Sequence, residues 1–206
     1  MTGLFVTVEG IEGAGKSTAV AYLQRYFEGR GRGCVLTREP GGTPLGEWVR
    51  QWLLDPDSCV DPSAETLLVF AARAQHLATV IRPALGAGKV VICDRFTDAT
   101  YAYQGAARGL GAERIAVLEH WTQADLRPDL TLLLDLPVSE SAVRLERRRS
   151  TPDRFEREAS AFFERVRTAY LTRAAQEPVR IRQIDARQDP EDVEISLQKL
   201  LSEGGF

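Results

Sequence analysis

The stretch VTVEGIEGAGKST, residues 6–18, limits what this chain can fold into more than any other segment. Four mostly apolar residues lead into Gly10, Gly13 and Gly15, then Lys16, Ser17 and Thr18. Glycine weakens strands and helices alike, so three of them at a strand end need a reason. Gly10-Ile11-Glu12-Gly13-Ala14-Gly15-Lys16-Ser17 matches GxxxxGK[ST] at every fixed position. An apolar strand precedes it and the helical pattern AVAYLQRYF follows, which is the context that motif requires. Glycines let backbone N–H groups turn inward around phosphate oxygens, and the helix N-terminus adds a favourable dipole. Lys16 is then expected to bridge outer phosphates, and the Ser17 hydroxyl to ligate Mg²⁺. Glu12 is the odd member, a carboxylate beside a polyanion site. Either it is solvated at a tolerant loop position, or it faces away from the phosphates and hydrogen-bonds a hydroxyl of a second substrate.

The rest of the chain supplies a frame for that loop. Short Val-, Ile- and Leu-rich runs at 4–8, 34–37, 90–93 and 131–134, with a weaker one at 179–184, read as strands. Their near-continuous apolar character predicts burial on both faces. Helical patterns fit 16–29, 44–54, 62–86, 111–124, 138–148, 155–175 and 190–202. Such alternation predicts an α/β protein, a parallel sheet wrapped by helices, with ligands at the carboxyl ends of the strands. The 206 residues suit one domain, 1–206. A net charge of −3 argues against a nucleic-acid coat or a membrane-surface protein. No apolar run approaches the ~18 residues of a membrane span, and the start of the chain lacks the pattern of a secretory signal. Cys34, Cys59 and Cys93 are far apart and without CxxC spacing, so they read as small buried hydrophobes in a reducing cytoplasm.

The ends of the other strands carry the remaining candidates. TREPGGTP follows the second strand, and its Pro-Gly-Gly turn puts Arg38 and Glu39 over the cleft; either residue could instead belong to a surface ion pair. Asp94-Arg95 ends the third strand. There a carboxylate can orient Mg²⁺ and its waters, and an arginine can clamp a phosphate; a buried structural salt bridge is the alternative. The following FTDATYAYQGAARG run is dense in hydroxyl, amide and aromatic groups, and Thr100, Tyr103 and Gln104 can meet a planar base edge. Phe70 and Arg73 share a helix face and can stack on a base and donate to its carbonyl. His76 and His120 read as ordinary helix residues. After the fourth strand, Arg144, Arg147, Arg148 and Arg149 precede a Ser-Thr-Pro break and PDRFE, the layout of a mobile flap at about 144–156. Arginines on such a flap can close over a γ-phosphate, exclude water and neutralise charge in the transition state.

Taken together, EGIEGAGKST, TREPGGTPL, FAARAQH, DRFTDATYAYQG, RPDLTLLLDL and DRFE resemble bacterial thymidylate kinase, in order and over nearly the whole chain. The resemblance implies the P-loop nucleoside-monophosphate-kinase fold, a five-stranded parallel sheet with a lid. It also implies transfer of the γ-phosphoryl group of ATP to dTMP with Mg²⁺, and a homodimer. Residues Gly10 to Thr18 would bind the ATP phosphates, and Arg187 would lie in the loop over adenine. Glu12 would contact the acceptor 3′-hydroxyl, Arg95 its phosphate, and Asp94 the transferred group. Phe70 and Arg73 would hold the base, with Thr100, Tyr103 and Gln104 as its wall. The phosphate loop has no arginine, so the resemblance assigns the catalytic arginines to the lid, among Arg147, Arg149 and Arg154. The family's stacking phenylalanine often lies four residues before the helix arginine, where Val69 stands here. Ala99 replaces a frequent serine.

Two other classes fit part of the pattern. A kinase of the same fold acting on another small acceptor is disfavoured by TREPGG and the AYQG run. A nucleotide-dependent switch is disfavoured by the hydroxyl-rich acceptor pocket and by the lack of an obvious water-positioning element.

Overall fold

The computed structural model describes residues 3–147 and 152–206. Five parallel strands form one sheet in the order β2-β3-β1-β4-β5. They are β1 (Leu4–Glu9), β2 (Cys34–Arg38), β3 (Val90–Asp94), β4 (Leu130–Asp135) and β5 (Ile181–Asp185). The strands of β1, β3 and β4 are almost wholly buried, as their apolar runs predict. The edge strands β2 and β5 depart from that expectation: each leaves part of its side chains in contact with solvent, and Leu36 is 43% exposed. A strand at the rim has one neighbour and less cover, so period and composition alone do not report its burial.

Helix α1 (Lys16–Glu28) grows directly from the loop after β1. Helix α2 (Pro44–Leu54) begins after the Pro-Gly-Gly turn, with Pro44 at its first position and the Thr43 hydroxyl accepting from Gly46 N. Helix α3 (Pro62–His76) runs on through a π-helical turn, Leu77–Ile81, into α4 (Arg82–Gly86). The single helix expected over 62–86 is therefore widened in its last third. Pro83 has no N–H for the carbonyl four residues back and its ring crowds that carbonyl, which favours a wider turn just upstream.

A second π-helical stretch has no counterpart in the sequence reading. Helix α5 (Thr97–Thr100) opens into Tyr101–Ala107, closed by Arg108 N donating to Tyr103 O at 2.8 Å. The chain continues as α6 (Ala112–Gln123), α7 (Val138–Arg147), α8 (Ser160–Gln176) and α9 (Pro190–Glu203). Helix α8 begins five residues later than expected. Asp153 Oδ1 accepts from Phe155 N and Glu156 N, both at 2.9 Å, and this local turn competes with helix there.

The parallel register puts Val8 beside Asp94 and Arg38 beside Asp94, so the carboxyl ends of β1, β2 and β3 are level. The expectation for the cysteines holds for Cys93 alone: Cys34 is half-buried and Cys59 is exposed. Among the described residues no helix is long and apolar enough to cross a membrane.

Candidate active site

Gly10 is where the chain turns away from β4: a Cβ there would lie 2.5 Å from the Leu134 carbonyl oxygen, at φ +140°. Gly15 takes φ +91° at the N-cap of α1, a left-handed conformation that side chains resist. The loop between them wraps Lys16, whose Nζ donates to Gly10 O and Ile11 O, both at 3.0 Å. Burial, and then the nearby Arg95 charge, lower the Lys16 ammonium from its ordinary value to about 8.

The loop opens onto a cleft of about 440 Å³ at the carboxyl ends of the three level strands. Lys16, Ser17, Arg38, Glu39, Asp94 and Arg95 all line it, together with Glu12, Arg73, Thr100, Tyr103 and Gln104. Glu12 does not point into solvent. It accepts from Arg95 Nη2 at 2.7 Å and from Tyr103 Oη at 2.8 and 2.9 Å. Arg95 stands over the Tyr103 ring at 4.9 Å and donates to Tyr170 Oη at 3.2 Å. Its backbone is left-handed, φ 67°, an unusual conformation for a bulky residue.

That conformation has a support the sequence reading missed. Glu9, wholly buried at the end of β1, accepts from Phe96 N at 2.7 Å and from Tyr170 Oη at 2.7 Å. It therefore holds the residue after Arg95 and the hydroxyl beside its guanidinium. Burial, with Asp98 next in effect, pushes the Glu9 carboxyl up to about 7. A carboxylate immediately before Gly10, at the end of an apolar strand, was the available signal.

Asp94 Oδ1 is buried and has no hydrogen-bond partner among the described residues. No group of three or more His, Cys, Asp or Glu gathers around a metal among them. Ser17 and Asp94 are two oxygen donors lining the same cleft. Such a sparse set fits Mg²⁺, which keeps waters and takes substrate phosphate oxygens.

Elsewhere along the cleft, Arg73 is 1% exposed and clamped on several sides. Its Nε donates to Glu39 Oε2 at 2.7 Å and its Nη2 to Thr100 Oγ1 at 2.8 Å. The Phe70 and Phe96 rings lie 4.8 and 4.9 Å from its guanidinium carbon. Phe70 is thus spent beneath Arg73; it is not among the described residues lining the cleft, and Val69 is. The expected stacking role of Phe70 does not fit this placement. Val69 turns to the cleft because it packs with Leu53 of α2, and the ring of Phe155 closes that side.

The described arginines expected on a lid do not share one place. Arg154 donates to Leu53 O at 2.7 Å and pairs with the buried carboxylate of Glu65, while its N–H reaches Leu54 O at 3.1 Å. It anchors the segment to α2 and α3 and is not among the described cleft-lining residues, contrary to its expected place over the phosphates. Arg147 is exposed at the end of α7. Arg149 lies outside the described residues. Arg144 lines the cleft and bridges Gly13 O, at 3.3 Å, and Ala186 O, at 2.8 Å. Thr18 and Arg187 are exposed, with Arg187 paired to Asp185 at 2.7 Å. Arg50 of α2 also lines the cleft and was missed, although it is the only basic residue in PLGEWVRQWLL.

The sequence pattern of the family described as thymidylate kinase matches residues 8–197. The chain belongs to the thymidylate kinase family. The thymidylate kinase of Pseudomonas syringae pv. tomato is 60% identical over 204 residues, covering 98% of this chain and 97% of that protein. That of Pseudomonas fluorescens SBW25 is 59% identical over 202 residues, covering 98% and 96%. Among solved structures, the thymidylate kinase of Ehrlichia chaffeensis superposes with a TM-score of 0.77 at 32% identity, covering 98% of this chain and 99% of that one. The fold is accordingly the P-loop nucleoside-monophosphate-kinase fold of the thymidylate kinase family, and the cleft lies where that architecture binds nucleotides.

Proposed function

We propose that this chain carries out the reaction of its family, ATP-dependent phosphorylation of dTMP to dTDP, by the following division of labour. The observation that carries it is one cleft lined together by the phosphate loop, Asp94-Arg95 and the clamped Arg73. Lys16 and the N–H groups of Gly10 to Ser17 hold the donor phosphates. Ser17 and Asp94 would hold Mg²⁺, whose charge would offset that of the substrate phosphates. Arg95, fixed by Glu12, Tyr170 and its own backbone, grips the acceptor phosphate. Glu12 and Tyr103 meet the sugar; Arg73, Thr100 and Gln104 read the base. Arg38, paired at the surface with Glu47 at 2.7 Å, and Arg50 both line the acceptor end.

An acceptor phosphate is largely ionised at neutral pH, so attack on the γ-phosphorus needs little help from a general base. Positioning and charge neutralisation do the work instead. Arg154 anchors the lid, about 144–156, and Arg147 and Arg149 bring its positive charge to the donor. Arg187 lies beside adenine. The whole chain acts as one domain in the cytoplasm and as a homodimer. The dimer reading is supported by large apolar side chains on α3 and α6, which pack on each other: Leu67 is 55% exposed, Val117 69% and Trp121 82%.

The test is ADP release from ATP and Mg²⁺ with dTMP, dUMP, dCMP, dGMP and AMP offered separately. Strong, selective stimulation by dTMP is expected, with partial response to dUMP, since one methyl is worth only about 1–3 kcal/mol. Stimulation by a different monophosphate alone would overturn the assignment of the base wall.

A further inference from the structure

His76 does more than fill a helix position. It lies one turn after Arg73 on α3 and is wholly buried. Its Nδ1 lies 2.9 Å from Glu39 Oε1, the oxygen that Arg73 does not use. A carboxylate only accepts, so Nδ1 carries the proton and donates. Its Nε2 shares a hydrogen bond of 2.6 Å with Thr37 Oγ1 on β2. Both ring nitrogens are thus held, one by the strand and one by the carboxylate after it.

The Pro-Gly-Gly turn is built down onto this pair. A Cβ on Gly42 would lie 2.4 Å from Thr37 Oγ1 and 2.6 Å from His76 Nε2, at φ +72°. Glu39 is tied on its backbone side as well, its N–H donating to Asp94 O at 2.9 Å. Glu39 therefore has fixed ends, and with Thr100 it grips the guanidinium of Arg73. The remaining nitrogen, Nη1, is buried with no hydrogen-bond partner among the described residues. A buried donor left without a partner is costly unless a ligand satisfies it.

We infer that His76 is a positioning residue for base selection: through Glu39 it locks the Arg73 guanidinium so that Nη1 meets a carbonyl on the acceptor base. The inference rests on the reading of this cleft as the dTMP site. Without the His76 donor, Glu39 keeps its bond to Arg73 but loses the contact that sets its angle. Arg73 then remains charged and buried, yet poorly aimed. Binding of a base with a carbonyl at that edge suffers, while binding of ATP, on the other side of the cleft, does not.

The experiment is steady-state kinetics of the full chain, varying dTMP at saturating ATP and ATP at saturating dTMP. His76→Leu removes the donor, His76→Asn places a nitrogen where Nδ1 stands, and His76→Gln places one toward Thr37. Arg73→Ala serves as reference, and thermal melts identify the folded variants. For His76→Leu the expected result is a dTMP KM raised about tenfold, the size of one charge-assisted hydrogen bond. The preference in kcat/KM for dTMP over dCMP, which offers an amino group where thymine offers a carbonyl, falls by a similar factor. The ATP KM and kcat stay within about twofold, as expected when a uniform binding contact is lost. His76→Asn stays near wild type and His76→Gln follows His76→Leu; this contrast decides the matter even if His76→Leu does not fold. Equal behaviour of the Asn and Gln variants would overturn the inference, as would kcat and ATP KM worsening in step with dTMP KM. If Arg73→Ala raises dTMP KM while the His76 variants do not, the relay is wrong and the site reading stands. If Arg73→Ala leaves dTMP KM unchanged, the site reading itself fails and takes the inference with it.

Discussion

Lys16 and Glu9 stand seven residues apart and show how burial tunes single charges at this cleft. Lys16 is depressed to about 8 because it is buried beside Arg95. On the proposed division of labour Lys16 holds the donor phosphates, so for Lys16→Ala turnover is expected to fall by about 10²–10³-fold or more in a phosphoryl-transfer assay. Glu9 works through others. Its folded carboxyl is raised from 4.5 to about 7, mainly by burial. A raised acid contributes stability below its unfolded value and loses that contribution as pH rises through the folded value. Relative to Glu9→Gln, the wild-type chain is therefore expected to lose about 3 kcal/mol between pH 4.5 and 7. Urea denaturation of both proteins across that range checks it; a difference that does not change with pH would refute it.

Among the elements, the segment 152–157 and the two π-helical turns matter most. Residues 152–157 hang on α2 and α3 through Arg154, whose partner Glu65 is wholly buried and also accepts from Gln104 at 2.7 Å. Arg154→Ala leaves that carboxylate with fewer donors, at a cost of about 1–3 kcal/mol. Amide exchange across residues 152–157 and the start of α8 is expected to speed up, with a smaller loss of kcat than in Lys16→Ala. A loss of kcat as large as that of Lys16→Ala, without faster exchange, would restore Arg154 to the phosphates. The π-helical turn at Tyr101–Ala107 carries Tyr103 and Gln104 to the cleft on one side while its other side packs on α8. Wide turns of this kind occur often at functional sites.

Across the whole molecule, one buried carboxylate joins parts far apart in the chain. Asp98, 2% exposed on α5, pairs with Arg173 of α8 at 2.5 Å and with Arg180, just before β5, at 2.7 Å. The two guanidiniums hold it below the usual carboxylate range despite burial. Arg180 also reaches Thr131 on β4 at 2.9 Å. Asp98→Asn removes the charge but leaves both cations in place, and a broken buried pair costs about 3–5 kcal/mol. The midpoint of equilibrium denaturation is expected to drop accordingly. A shift below about 1 kcal/mol would show the network to be solvated and replaceable.

The sheet, the phosphate loop and the strand ends that carry charge follow from the order of residues along the chain. Apolar runs that must be buried, and glycines that must turn, are local requirements legible one segment at a time. Lys16, Asp94 and Arg95 follow from such rules, and the structure places all three in one cleft. Which way neighbouring residues face depends instead on long-range packing. Val69 and Phe70 are both within one turn of Arg73, and packing against Leu53 chose Val69 for the cleft and left Phe70 under the guanidinium. Arg154 reads as a mobile cation until Glu65, 89 positions away, takes it as a partner. Glu9 and His76 look like an ordinary strand end and an ordinary helix residue. Their roles depend on Tyr170 and Glu39, whose approach is a matter of register and packing that no local pattern records.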